Sequence, residues 1–418
     1  MKSKRNISWK ISVFALLFAV LAVISIGCAS ADTIYVPEGG NQTIQQAVNN
    51  ATAGDTIIVR DAYTGTKENI DVSKSYLTIK SENGSVNCIV SASNLNDHVF
   101  NVTKDYVNIS GFTVENATGN WKAGIYLHSV EHCNISYNNA SNNDCGIELS
   151  SSSNNTLTNN TANSNNWDGI YLDYSSNNTL TNNTANSNNW DGILLYSSSN
   201  NTLTNNIMSE NSYNFGVDGY MLSHYTHSID TSNLVDGEPI YYWIDQQNKE
   251  VPGDAGFVGL VNSTNITVKD LTLTNNQQGV LLAYTKNSRI ERINASNNDC
   301  GIELSSSSNN TLTNNTANSN SYDGIYMWSS SNNTLTNNTA NSNNWDGIYL
   351  DYSSNNTFTN NTANSNNWGD GIYLDYSSNN TLTNNTANSN NWYGIYLDYS
   401  SNNTLTNNTA NSNNWDGI

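Results

Sequence analysis

The chain has 418 residues, a formal net charge of -20 and a pI near 4.3, with only 12% charged residues and three prolines. That balance excludes nucleic acid and anionic membrane surfaces, which need a basic stripe: no Lys or Arg occurs from Gly146 to Gly216 or from Gly301 to the end. A disordered polar chain is excluded too, because aromatics reach 10% and apolar residues recur on a strict period.

Residues 1–31 read as an export signal. Lys2, Lys4, Arg5 and Lys10 lead into the apolar run Ile11–Gly27, and Ala29–Ala31 offers small residues for cleavage before Asp32. An uncleaved anchor and a lipidated Cys28 are the alternatives. No second apolar run of that length follows, so the mature chain is expected outside the cytoplasm, extracellular or at the cell surface, without a membrane span. Removing the signal leaves Cys88, Cys133, Cys145 and Cys300. Their spacing fits no zinc motif, and small buried hydrophobes are the simpler reading than redox groups.

Residues 32–123 read as a cap followed by irregular coils. "TIQQAVNNA" (Thr43–Ala51) puts Ile44, Ala47, Val48 and Ala51 on one face, which predicts a short helix over the first coil. "GDTIIV" (Gly54–Val59) then opens the strands. Regular repeats fill 124–216 and 279–418. Their marker is Gly before an apolar-x-apolar triplet, at Gly124, Gly146, Gly169, Gly192, Gly216, Gly279, Gly301, Gly324, Gly347, Gly371, Gly394 and Gly417, in steps of 22 to 24 residues within each array. Asn178, Asn183 and Asn188 recur every five residues, with Leu180 and Ala185 between them. That pattern is too sparse for a helix face and suits short strands alternating in and out. Asn tolerates corner backbone angles and can bond from coil to coil. Each repeat is therefore read as one turn of an all-β parallel β-helix, a solenoid with 22–24-residue coils and a rise of about 4.8 Å per coil. Residues 217–278 interrupt the arrays. Here "PIYYWI" reads as a strand and "DQQNK" as a turn, which predicts a hairpin or protruding loop before coils resume at Gly256. The last coil stops at "NSNNWDGI" without a cap. Truncation is the expectation there, with an open coil that meets another chain as the alternative.

Together, "IQQAVNNATAGDTIIV", "VDGEPIYYWID", "VPGDAGFVGLVNSTNITVKDLTLTNNQQGVLL" and the "GIYL…SSNNTLTNN" coils resemble the NosD-type β-helix proteins over essentially the whole mature chain. The resemblance implies a right-handed parallel β-helix of the pectin-lyase-like superfold, export, a place among proteins of the archaeal cell-surface kind and, by family name, copper. Fold alone does not fix function.

Three sets of residues could carry chemistry. His128, His132 and Cys133 form one soft-ligand group, and Met221, His224 and His227 form another; these are donors that copper prefers. Asp351, Asp375 and Asp398 share one slot in three successive coils, with Asp173 in the earlier array and Glu148 and Glu303 one slot away. Stacked about 5 Å apart they could hold calcium, which takes carboxylate oxygens, or stand solvated. A second column, Asp168, Asp191, Asp323, Asp346, Asp370 and Asp416, precedes the Gly and reads most simply as solvated turn residues. The third set is aromatic: Trp167, Trp190, Trp345, Trp368, Trp392 and Trp415, with Tyr322, before the Gly, and Tyr171, Tyr349, Tyr373 and Tyr396 after it. These rings either stack on each other along the wall or offer platforms for sugars. "NNT" sequons recur about twice per coil and are acceptors for N-glycans in an exported chain. The reading is a structural or adhesive surface protein that binds glycans or other cell-surface polymers, or divalent cations, along its repeat face. A copper protein is the alternative. An enzyme is third: glycoside hydrolysis needs two carboxyls in different environments, and the repeats single none out. Any other catalytic centre would fall near His98, Lys122, His128, Glu131 and His132.

Overall fold

The computed structural model describes residues 31–37, 42–63 and 66–418. The expected export signal, its last residue apart, lies outside the described residues. Among the described residues no helix is long and apolar enough to cross a membrane.

The repeat sequence alternates because each turn is built from very short strands with one side chain in and the next out. Ile325–Trp328, Ile348–Asp351, Ile372–Asp375 and Ile395–Asp398 stack in parallel register. A second column follows from Thr311–Thr313 to Thr404–Thr406. Single bridges Thr316↔Thr339↔Thr362↔Thr386↔Thr409 make a third side. The result is a right-handed parallel β-solenoid. Inward residues such as Ile348, Leu350, Phe358 and Ala363 are fully buried and form one continuous core. The repeated Gly lies where the turn is tightest: a Cβ on Gly324 would stand 2.6 Å from the Gly347 carbonyl oxygen of the next coil.

At the Asn332–Asn333 and Asn337–Asn338 corners the two Asn divide their tasks, as Ser329–Ser330 and Ser342–Asn343 do at the others. The first takes the left-handed backbone conformation, as at Asn332 (φ 61°) and Asn337 (φ 55°). The second, not the first, turns inward and is buried. Asn338 donates through Nδ2 to the Leu312 carbonyl (3.0 Å) and to Asn361 Oδ1 (3.0 Å). Its own Oδ1 accepts from the backbone N–H (3.0 Å) and the amide (2.9 Å) of Asn315, one coil earlier. Asn333 and Asn343 are bonded likewise to their own neighbours, and Ser330 does the same with a hydroxyl.

At the N-terminus a seven-residue helix, Ile44–Asn50, follows Thr43, whose side chain and Gln46 close a capping box. Ile44, Ala47 and Val48 are buried, and the helix packs on the first strands, Thr33–Val36, Thr56–Val59 and Ile70–Val72.

The middle of the chain departs from a single continuous stack. The chain reverses at Asp236–Gly237, both with positive φ (50° and 87°), which suits a two-residue hairpin. Leu234–Val235 thereby pairs antiparallel with the start of Glu238–Ile244. The turn expected at "DQQNK" is instead an ordinary corner, because Gln247–Glu250 pairs in parallel with Thr264–Lys269. Coils resume at Ile240, paired with Phe257, before Gly256 is reached. Two solenoids result, and the outer sheet face of the second covers the end of the first. Phe257, Val261, Leu281 and Ala283 point away from the second core and join the first. Phe215 and Phe257 meet edge to face at 5.1 Å. Gly216, expected to head a repeat, pairs with Leu194 instead of Gly192. It is glycine because a Cβ there would stand 2.5 Å from the Gln277 side chain of the second solenoid.

The Asn ladder carries a direct test. Asn338→Ala leaves buried donors and acceptors on two flanking coils unpaired, and should cost about 2–4 kcal/mol in denaturant unfolding. Asn337→Ala, at the exposed partner of the pair, should cost about 1 kcal/mol, the backbone penalty alone. Equal costs at the two sites would refute the division of tasks.

Candidate binding cleft and aromatic face

The strand after each Gly presents two outward columns. In the second solenoid the first column runs Leu281, Glu303, Tyr326, Tyr349, Tyr373, Tyr396, and the second runs Ala283, Ser305, Trp328, Asp351, Asp375, Asp398. Where the first solenoid's end abuts this face, the early members of both columns become buried. The strand Cys300–Ser305 is buried throughout.

Beside that contact lies a cleft in two connected parts. One, of about 370 Å³, is lined by Asp218, Gln277, Gln278, Asp299, Glu303 and Asp323, with the rings of Tyr322, Tyr326 and Tyr349. The other, of about 270 Å³, shares Asp218, Glu303 and Tyr326 and adds Tyr220, Tyr225, Trp328 and Asp351. Tyr225 donates its hydroxyl to the Gly219 carbonyl, and its oxygen accepts from Ser305 Oγ (3.2 Å), which clamps the two solenoids together. Burial, then the Asp218 charge, pushes the Glu303 carboxyl up to about 8. Burial lifts Asp299 to about 6 and Asp323 to about 7, and raises Asp218. No Lys, Arg or His lines either part among the described residues.

The column just before each Gly, expected in solvent, is buried except in the last coil, where Asp416 is exposed. Asp168, Asp191, Asp323, Asp346 and Asp370 point in beside the Gly turn. The reason is a backbone donor: Asp191 N–H bonds Asp168 (3.1 Å), Asp346 N–H bonds Asp323 (2.9 Å), and Tyr393 N–H bonds Asp370 (2.7 Å). Burial raises every one of them, to about 7 at Asp168 and about 6 at Asp370. At Asp191 and Asp346 the neighbouring carboxylates add to burial, and both stand well above the ordinary range. Cys145 and Cys300 hold the same slot in their coils.

The aromatic residues stack chiefly on each other. Tyr326, Tyr349, Tyr373 and Tyr396 form one pile with centroids 4.9–5.3 Å apart, so their ring faces are taken. Trp167 stacks on Trp190, Tyr322 on Trp345, and Trp392 on Trp415. Trp368 makes none of these ring contacts. Its coil carries one extra residue, Gly369, whose carbonyl accepts from Trp392 N–H in the slot that Trp345, Trp167 and Trp392 fill elsewhere. Trp345 therefore reaches past it to Trp392 (6.3 Å), and Trp368 stands 64% exposed.

The metal candidates do not converge. Asp351, Asp375 and Asp398 are paired in register, yet no group of three or more His, Cys, Asp or Glu is arranged to hold a metal ion among the described residues. Sequence reasoning missed the cleft, although Glu303 stands in a slot that later coils give to Tyr.

Residues 48–235 match the family described as Periplasmic copper-binding protein (NosD), and residues 253–326 and 283–418 match Right handed beta helix region. The chain is a β-helix repeat protein whose residues 48–235 are NosD-like. No curated protein matches it. Among solved structures, it is similar to the mannuronan C-5 epimerase AlgE6 A-module of Azotobacter vinelandii (11% identity, 90% of each chain, TM-score 0.38). It is also similar to the AlgE4 A-module of that organism (14%, 97% of this chain and 91% of that one, 0.34) and to pectate lyase Pel9A (18%, 73% and 77%, 0.37).

The donor set of this chain does not fit copper. His227 is 4% exposed, with Nδ1 accepting from Asn201 N–H (3.2 Å) and Nε2 donating to the His224 carbonyl (2.8 Å). It fills an Asn slot of the ladder and keeps no lone pair for a metal. Burial drives it down to about 4. His224 Nδ1 accepts from Tyr220 N–H, and Met221 is exposed. His98 is held by Ala123 N–H, and His132 stacks on Tyr106. Cys88, Cys133, Cys145 and Cys300 are free and buried, and burial raises each thiol.

Two outcomes follow. Copper titration should leave His227→Asn and the parent chain alike, while the substitution, which restores the ladder amide, keeps the melting temperature; loss of a stoichiometric copper site in the variant would overturn this. The buried Asp column links folding to protons. Carboxyls whose folded values stand above the unfolded value of about 3.9 favour the folded state fully below that pH and lose this advantage as pH rises through their folded values, from about 6 to 7 and above. Thermal stability should therefore fall from about pH 4.5 to about pH 8, by on the order of 1 kcal/mol per column carboxyl. Asp346→Asn should flatten that slope, and a slope of the opposite sign would refute the account.

Proposed function

We propose that the protein is an extracytoplasmic β-helix scaffold with an adhesive role, which binds glycan chains along the aromatic face of its second solenoid. The observation that carries this reading is Trp368. The insertion of Gly369 removes it from the ring pile and leaves it 64% exposed, in a coil that also carries Tyr373 and Asp375 on its outward strand face. A sugar ring stacks on a free face, while hydroxyls and carboxylates take its hydroxyls. The insertion is otherwise costly: a Cβ at Gly369 would stand 2.6 Å from the Trp345 carbonyl carbon, so the bulge also requires a glycine. The export signal read in the sequence supports a place outside the cytoplasm, and a family described as periplasmic is consistent with it.

The test is retention on a glycan array and on insoluble polysaccharides. Trp368→Ala should lower affinity about 2- to 10-fold, the range of one aromatic contact, without changing the melting temperature. Trp345→Ala, inside the pile, should lower stability as well. Undiminished retention by Trp368→Ala, or silence of the parent chain on every glycan, would sink the reading.

A further inference from the structure

The cleft between the solenoids is chemically one-sided. Its polar lining from the first solenoid is Asp218, with the rings of Tyr220 and Tyr225. From the second come Asp299, Glu303, Asp323 and Asp351, with Gln277, Gln278, Ser305 and the Cys300 thiol. Gln277 is already spent, donating through Nε2 to Asp191 (3.2 Å). Gln278 is 3% exposed, and its Oε1 has no hydrogen-bond partner. A buried, unpartnered amide oxygen costs free energy and marks a place for a donor.

The remaining question is what kind of donor. An anionic ligand, a uronate chain included, meets carboxylates and no cation. A metal ion needs several oxygens on one point, and no three acidic groups are so arranged among the described residues. The two parts of the cleft, about 370 and 270 Å³, also exceed what one ion fills. Acceptors on one wall and aromatic rings on the other suit an ammonium group on a carbon frame: charge-assisted hydrogen bonds to carboxylate and amide oxygen for the ammonium, and packing against the rings for the frame.

We propose that this cleft binds a small organic cation, an amine-bearing sugar or polyamine, with its ammonium between Glu303, Asp218 and the Gln278 oxygen and its carbon frame against Tyr326, Tyr349 and Trp328. This site is separate from the Trp368 face and stands or falls without it. Its carboxyls ionise at neutral pH only at a cost that a positive ligand offsets. Affinity therefore rises with pH, through the range in which Asp299, Asp323 and Glu303 lose their protons.

The experiment is calorimetric titration of the whole mature chain, at about physiological salt to screen loose binding to its acidic surface. The probes are spermidine, the glucosamine disaccharide, its neutral N-acetylated counterpart, and calcium alone. One saturable site is expected for an amine probe, at least about tenfold tighter than for the neutral disaccharide and about tenfold weaker at pH near 5.5 than near 7.5. Preference between the two amines tells sugar from polyamine. Glu303→Gln keeps the side-chain volume and should abolish the site with melting temperature retained; Trp328→Ala should weaken it; Trp368→Ala should leave it unchanged. Equal or tighter binding of the neutral disaccharide, a site filled by calcium instead, no binding of either amine at millimolar concentration, or undiminished binding by Glu303→Gln would each overturn the proposal.

Discussion

The fold depends on one interaction: a buried Asn amide that bonds the backbone of the coil before it and the amide of the coil after it. A solenoid turn this short must bend sharply at every corner. Each bend points backbone N–H and C=O groups toward an interior that water does not reach, where each would cost free energy if left unpaired. An Asn side chain offers two donors and one acceptor oxygen in a rigid plane, which matches what a stacked corner lacks. Leu or Val would fill the space and leave the corner unpaired. Asp could accept and not donate. The chain is therefore asparagine-rich because its interior has backbone to satisfy. The substitution at His227 shows the same rule from the other side. Its imidazole, with one acceptor and one donor nitrogen, is among the few side chains able to stand in an amide's place.

A parallel stack has a second requirement, that its ends be closed. The hairpin at Asp236–Gly237 meets this by reversing the chain, so the second solenoid lays its outer wall over the first one's last coil. Strands there are apolar on both faces, as parallel strands covered on two sides are. The repeat pattern is adjusted to allow it: Gly216 clears a path for Gln277, and Gly259 does so for Tyr242. The cleft is a by-product of that closure. An end laid on a wall of outward side chains traps some of them, and the trapped ones here include Glu303 and Tyr326, whose column runs on into the Tyr pile of later coils.

These facts mark the line between what the sequence shows and what it withholds. Coil length, the inward Ile and Leu, the N-terminal helix and the parallel register all follow from local periodicity, which a single chain displays in full. Which Asn of a pair turns inward was not legible, since the two are identical in type and differ only in backbone angle. The Asp before each Gly read as a solvated turn residue because nothing local announces the N–H of the next coil that draws it in. The junction did leave a signal: "GFVGLV" and "GVLLAY" break the in–out alternation with continuous apolar runs, the mark of a strand buried on both faces. The cleft itself joins residues 80 and more positions apart, as Tyr225 and Ser305 are, and no spacing within one repeat encodes that.

Near-identical repeats also change what a single residue can mean. When a coil is copied almost letter for letter, the copied letters are explained by stacking, because every neighbour needs the same groups at the same height. The departures are not so explained. Glu303 in a Tyr slot puts a carboxyl into a wall that needs none. Gly369 lengthens one coil and costs a Trp its place in the pile. His227 takes an amide's position at the corner where the chain leaves the first stack. Cys300 replaces the Asp that would have accepted the next backbone donor, which empties one rung of the carboxylate column at the edge of the cleft. Glu148 and Cys145 make the same two departures in the first solenoid, so what sets Glu303 and Cys300 apart is the end of the first solenoid laid against them. Stability alone would favour the unbroken copy at each position, so the breaks, more than the repeats, are where a ligand can leave its trace.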